Sequence, residues 1–155
     1  MPTICLVGPS DSGKTTLMES LVAELGDYGR VATIKSIHHD VEIDTPGKDT
    51  HRHREAGADT VVGLTPSLSF QLTPGGKEAA TSETALLEST VDRLDTEGYE
   101  FVLVEGFHDS PYPKIELGER DDTEPPVVAS GTVDELDVAQ LAASIADRTL
   151  FEGIN

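Results

Sequence analysis

The residues best placed to do chemistry run consecutively near the start of the chain: Gly8-Pro9-Ser10-Asp11-Ser12-Gly13-Lys14-Thr15. Two glycines spaced for a tight turn, followed by a lysine and a hydroxyl residue, fit a loop that wraps a polyphosphate. Amides from Ser10 to Thr15 can point inward at phosphate oxygens, and a helix opening behind them adds its partial positive charge. Lys14 would bridge β- and γ-phosphates, and Thr15 would offer its hydroxyl to the Mg²⁺ that accompanies a nucleoside triphosphate. Gly8, Ser10, Asp11, Ser12, Gly13, Lys14, Thr15 and Thr16 are therefore the expected nucleotide contacts. Such a loop works only between a strand and a helix. Thr3-Ile4-Cys5-Leu6-Val7 is an apolar, β-rich run that reads as a buried strand, and Leu17, Leu21, Val22 and Leu25 recur on one helical face behind the loop.

A second chemical signal lies at Phe101-Val102-Leu103-Val104-Glu105-Gly106. Four apolar residues ending in a carboxylate read as a buried parallel strand with its acid at the carboxyl end, where open α/β sheets bind ligands. There Glu105 would order Mg²⁺ or an attacking water, in the place where phosphate-loop proteins usually carry aspartate. The plainer alternative is an ordinary acid at a strand end.

The third candidate is the segment from Lys35 to Arg54. It holds Lys35, Lys48, Arg52 and Arg54 against Asp40, Glu42, Asp44 and Asp49, and includes four of the five histidines, His38, His39, His51 and His53. The segment is neutral, while the other 135 residues carry the entire net charge of −18. An anionic second ligand or partner could dock in this local relief, using Lys35, His38, His39, Lys48, Asp49, Arg52, Arg54 and, from a later loop, Lys114. Asp40 or Asp44 could add a third group to a metal held by Thr15 and Glu105. The competing reading of Lys48 to Ala56 is a solvated surface helix, polar all round.

At 155 residues the chain is expected to form one domain, residues 1–155, with a sizeable core. No apolar run approaches the ~20 residues of a membrane span, and the first residues do not have the pattern of a signal peptide. The single cysteine, Cys5, sits inside the first strand, which suits core packing and a reducing cytoplasm. A charge of −18 repels phosphate backbones, so nucleic acid is disfavoured as a partner. Acids spread along most of the chain point to a surface adapted to molar salt, where screening shrinks to about 3 Å; an acidic face for a basic partner is the alternative.

The remaining pattern places these candidates on elements. Val31 to Ile34 reads as a second strand, with a loop from Ser36 to Gly47 at the carboxyl edge of the sheet. Val61 to Leu64 and Leu68 to Leu72 form a hairpin or sheet extension. Leu87, Val91 and Leu94 mark an amphipathic helix ending near Gly98. Phe107 to Glu124 has no period and reads as a long loop over the site. Pro126 to Ser130 gives a last core strand. Thr132 with Glu135 then forms a capping box for a final helix through Val138, Leu141, Ala142 and Ile145. The fold class is α/β: a three-layer sandwich of the phosphate-loop NTPase type, with a mostly parallel central sheet and an added β-hairpin.

Taken together, these residues resemble the molybdopterin-guanine dinucleotide biosynthesis adaptor family, MobB, a small GTP-binding branch of the phosphate-loop NTPases. Beyond the loop, the resemblance rests on Lys35 with His38-His39-Asp40, on Asp44, Pro46-Gly47-Lys48-Asp49, Arg54 and Ala56-Gly57-Ala58, and on Glu105-Gly106-Phe107 with Pro113-Lys114-Ile115. It implies a homodimer that binds GTP and hydrolyses it slowly. It also implies a partnership with the guanylyltransferase that attaches GMP to molybdopterin, with molybdopterin itself as a candidate second ligand. No Asn/Thr-Lys-x-Asp guanine signature is present, so guanine specificity comes from the resemblance. A small-molecule or nucleotide kinase is the alternative, and a non-hydrolysing switch is a third; a kinase would need an arginine-bearing lid, for which Phe107 to Glu124 supplies only Arg120. The open edge of the Asp59 to Leu72 hairpin is the expected dimer surface.

Overall fold

In the computed structural model, which describes residues 1–154, thirteen elements follow one another: β1 (Thr3–Val7), α1 (Lys14–Gly26), β2 (Val31–Lys35), α2 (Asp49–Glu55), β3 (Val61–Leu64), β4 (Ser69–Leu72), α3 (Gly76–Ala79), α4 (Glu83–Thr96), β5 (Phe101–Glu105), β6 (Lys114–Leu117), β7 (Val127–Gly131), α5 (Val138–Ala146) and a 3-10 turn (Thr149–Phe151). They divide into two compact units, residues 1–36 with the chain from Leu87 on, and Ile37–Leu86.

The first unit is built around β1. Its Ile4, Cys5 and Leu6 are fully buried because the strand lies in the middle of a parallel sheet ordered β2-β5-β1-β6-β7, covered on both faces. Alternate residues of each strand serve opposite faces. Ile4, Leu6, Leu103, Ile115 and Leu117 pack against α1, through Leu17, Leu21 and Leu25, and against α5, through Leu141, Ala142 and Ile145. Cys5, Val7, Val102 and Val104 pack against Leu87, Val91 and Leu94 of α4. The result is helix, sheet, helix: the expected three layers. Trimming a central side chain such as Leu6 to alanine removes about 2–5 kcal/mol, a large share of the ~5–15 kcal/mol that holds a domain together.

Two local expectations are corrected. The stretch from Phe107 to Glu124 is not all loop, since Lys114–Leu117 forms β6 between β1 and β7. Ile115 and Leu117 alternate as a strand should, but Lys114 and Glu116 interrupt the apolar run and conceal it. The final helix opens at Val138, not at Thr132. The Thr132 amide does donate to Glu135 Oε2 (2.9 Å), yet the chain makes only a turn there, and Asp137 caps α5 by accepting from the Gln140 amide (3.0 Å).

In the second unit, β3 and β4 pair antiparallel from Val61↔Leu72 to Leu64↔Ser69. Thr65 closes the hairpin, its Oγ1 accepting from the Leu68 amide (2.9 Å). α2 buries none of its residues, as its polar composition dictates.

Candidate functional site

The phosphate-type loop leaves β1 and enters α1 through two glycines that nothing else could replace. Gly8 has φ 153° and Gly13 φ 93°, both in the region open to glycine. A side chain on Gly8 would collide with the Leu117 carbonyl, and one on Gly13 with the Val133 methyl. The loop thus runs in contact with the end of β6 and with the turn after β7. Asp11 also takes a left-handed conformation, φ 61°, which short polar side chains tolerate.

Lys14 Nζ donates to the carbonyls of Gly8 (2.9 Å) and Pro9 (2.7 Å), holding the ammonium over the loop with its third proton to spare. Ser12 Oγ is buried and has no hydrogen-bond partner. The first turn of α1 has Gly13 as its N-cap, no side-chain cap and no acid, so its orphan amides are left for whatever enters the cleft. A buried hydroxyl without a partner and uncapped amides beside a lysine fit an anion rich in acceptor oxygens.

The cleft in front of the loop has a volume of about 490 Å³ and is lined by Ser10, Asp11, Gly13, Lys14, Thr15, Thr16 and Glu105. That is within the usual size of a small-ligand site. Glu105 is placed there by the sheet. Its strand end is knitted on both sides, with the Ser36 amide donating to its carbonyl (2.9 Å) and the Gly106 amide donating to Leu6 (3.0 Å). Its carboxylate, 15% exposed, lies 3.6 Å from Lys35 Nζ. Lys35, expected among the second-ligand residues, therefore stands beside the nucleotide cleft.

The donor set suits Mg²⁺. A hydroxyl from Thr15 and a carboxylate from Glu105 are hard oxygen ligands, and Mg²⁺ takes only one or two such groups, filling its shell with phosphate oxygens and water. Among the described residues no three His, Cys, Asp or Glu side chains cluster to hold a metal. Asp44 is engaged otherwise, its Oδ1 accepting from Thr50 Oγ1 (2.8 Å) while its Oδ2 is buried without a partner. His38, His39, Asp40, Lys48, Asp49 and Arg52 are exposed in the second unit, and Arg54 is half-buried there with an unpartnered Nε. His51 Nδ1 accepts from the Gly47 amide (3.2 Å), shaping the entry to α2.

Lys114 must be withdrawn from the residues available to an anionic partner. It is fully buried, and its ammonium donates to the carbonyls of Ser110 and Tyr112, fastening the irregular crossover from β5 to the start of β6. Burial pushes its pKa below the ordinary lysine value. The same burial raises the pKa of Cys5, whose Sγ lies 3.5 Å from Ser110 Oγ. Arg120 is committed as well, gripping Asp122 through Nε (2.7 Å) and Nη2 (2.8 Å) and holding that carboxyl at a pKa of about 2.

A parallel sheet ordered around a central strand, with a glycine-lysine-threonine loop and a facing strand-end carboxylate, defines the phosphate-loop class of α/β nucleotide-binding folds. Within that class, the sequence profile of the family described as "Molybdopterin guanine dinucleotide synthesis protein B" (MobB) matches residues 3–147. The chain belongs to this family. It is 34% identical over 158 residues to the molybdopterin-guanine dinucleotide biosynthesis adapter protein of Haemophilus influenzae, a match covering 98% of this chain and 82% of that protein. The adapter protein of the same description from Escherichia coli is 34% identical over 118 residues, covering 76% of this chain and 65% of its own length. The crystal structure of Bacillus subtilis MobB superimposes with a TM-score of 0.67 at 20% identity, covering 94% of this chain and 98% of that one, a likeness of fold. Among the described residues, no helix is long and apolar enough to cross a membrane.

Proposed function

We propose that this chain is a GTP- and Mg²⁺-binding adapter in molybdopterin-guanine dinucleotide synthesis, assisting the guanylyltransferase that joins GMP to molybdopterin. The observation that carries the nucleotide half is the loop cleft itself, where Lys14, the unpartnered Ser12 hydroxyl and the uncapped start of α1 converge opposite Glu105. Membership of the family, together with the adapter role of the relatives, supports the adapter half. Mg²⁺ between Thr15 and Glu105 would neutralise β- and γ-phosphate charge. Lys14 would swing its ammonium from the loop carbonyls to the phosphates, and Glu105 would orient water for a slow hydrolysis. Lys35 would hold Glu105 in place.

The second unit supplies the partner side of this reading. Val62, Leu64 and Leu68 are more than half exposed, and Leu68 and Phe70 share the hairpin with Leu64 on its opposite face. A two-stranded ribbon with apolar side chains on both faces and open edges is stabilised by pairing, which favours a homodimer through this hairpin. The exposed cations and histidines around α2 are the groups offered to pterin phosphate or to the guanylyltransferase. Dispersed surface acids fit work in a salt-rich cytoplasm. A kinase reading is disfavoured because Arg120, the guanidinium of the loop after β6, is already bound to Asp122.

The reading is tested by following GMP transfer to molybdopterin by the guanylyltransferase, with and without this chain and GTP, at molar KCl. Stimulation by wild type, and its loss with Glu105→Gln alongside slower hydrolysis but retained GTP binding, is the expected result. Unchanged transfer in the presence of the chain would contradict the adapter role.

A further inference from the structure

The parallel sheet of the first unit has two edges, and they are finished differently. β2 ends in Lys35, a charge at the sheet border, and the chain runs on through Ser36 into the second unit. β7 reads Val127-Val128-Ala129-Ser130-Gly131, with no charge and no proline inside it. Among the described residues its only strand neighbour is β6. Edge strands are commonly blunted by lysine or proline, because their free amides and carbonyls recruit other strands. The one irregularity here, a register shift between the Lys114 and Ile115 pairs, comes after Val127.

The backbone register shows which groups are free to pair. Lys114 stands opposite Val127, and its amide donates to the Pro126 carbonyl (2.9 Å). In a parallel ladder the residue bracketed in this way turns its own N–H and C=O to the other side, so those of Val127 point off the sheet. The Val127 side chain is 44% exposed. Along the same strand runs a groove of about 750 Å³, in which Val127 and Val128 are joined by Pro111, Leu150 and Ile154. Glu152 is the charged residue of this lining; it is exposed and makes no ion pair with any described residue. Outward backbone groups, an apolar groove beside them and an unpaired acid are the contacts that an added strand uses: main-chain pairing, a pocket for a side chain, and a charge.

We propose that the β7 edge is a docking site for an extended, apolar and basic segment of a partner protein, which adds to the sheet as a further strand against Val127. The backbone of the segment pairs with the outward N–H and C=O of Val127, a branched apolar side chain enters the groove, and a neighbouring lysine or arginine pairs with Glu152. Charge decides between this occupant and a second copy of the chain. A copy would bring a second Glu152 and its own net charge of −18 to the interface, and like charges set against each other are repulsive. A basic segment meets complementary charge instead. The surface is additional to the hairpin and α2 of the second unit. It does not depend on the nucleotide reading, since the groove shares no residue with the loop cleft.

The test titrates the full chain into a fluorescein-labelled peptide, Lys-Val-Ile-Val-Lys, and follows anisotropy at fixed KCl. Two further peptides serve as controls: the same sequence N-methylated on alternate backbone amides, and Glu-Val-Ile-Val-Glu. The expected result is saturable binding of the first peptide, binding weaker by about tenfold or more for the N-methylated one, and none for the acidic one. Glu152→Lys should weaken the first peptide by about fivefold or more. Val127→Pro removes an outward N–H without breaking a bond to β6 and should weaken it by about tenfold, with thermal unfolding showing that both variants are folded. Equal binding of the N-methylated or the acidic peptide, or no binding of any peptide by wild type, would overturn the proposal. Light scattering that shows copies pairing through this edge, abolished by Val127→Pro while the peptide stays unbound, would assign the edge to a second copy and overturn it as well.

Discussion

The two units of this chain solve opposite problems. In the first, a central strand is buried to completion and the functional loop is bound to it by backbone geometry: Gly8 against Leu117, Gly13 against Val133, and the Glu105 strand end tied to β1 and β2. In the second, α2 buries nothing and the hairpin exposes Leu64 to 81% of its surface. A site that must grip phosphates needs preorganised donors on rigid elements. A surface with exposed apolar ribbons and uncommitted cations is completed by something else. In the proposed function, chemistry belongs to the first unit and association to the second.

Three substitutions probe that division. Leu64→Glu is expected to have the largest effect. In a symmetric dimer the change occurs twice, and each lost burial of a leucine is worth about 1.5–3 kcal/mol, so the dimer should weaken by more than about 100-fold. Light scattering across a concentration series at molar KCl reads the result, and a wild type that is monomeric throughout would remove the hairpin from the interface. Next, Lys14→Ala should lower GTP affinity by about 10- to 150-fold, the value of a charge-assisted contact of roughly 1.5–3 kcal/mol, with the fold retained. Wild-type affinity in that variant would mean the loop is only a turn.

Lys114→Met is expected to act on stability alone. Losing the ammonium leaves the buried Ser110 and Tyr112 carbonyls short of a donor, a cost of about 1–3 kcal/mol in chemical unfolding. Because the folded state lowers this lysine's pKa, it binds fewer protons than the unfolded chain between that lowered value and the ordinary 10.5, and stability from this group rises with pH across that window. The gap between wild type and Lys114→Met should therefore widen as pH rises towards 10.5. A gap that narrows over the same range would show that Lys114 gains, not loses, proton affinity on folding.

What the residues announced in advance follows the same division. Loop, strands and helices of the first unit were legible wherever apolar periodicity coincided with burial, as in β1, β5 and α4. Legibility failed at β6, where the strand carries a buried lysine and a glutamate whose neighbours, not their own polarity, decide their place. It failed again at Thr132, where the capping-box bond forms but the helix waits for Asp137. Glu105 was readable because an acid after four apolar residues marks a strand end. The contact of Val133 with Gly13 was not, since it joins positions far apart in sequence and depends on how α1 and α5 share one face of the sheet.

The separation of nucleotide chemistry from partner binding is tested most directly at Arg52, an exposed guanidinium on α2 that makes no ion pair with any described residue. GTP and the purified guanylyltransferase are each titrated into wild type and Arg52→Glu at fixed salt. The account predicts that partner affinity falls about tenfold or more while GTP affinity stays within about threefold, a difference below 1 kcal/mol. Loss of GTP binding with partner affinity intact would place α2 in the nucleotide site and contradict the division.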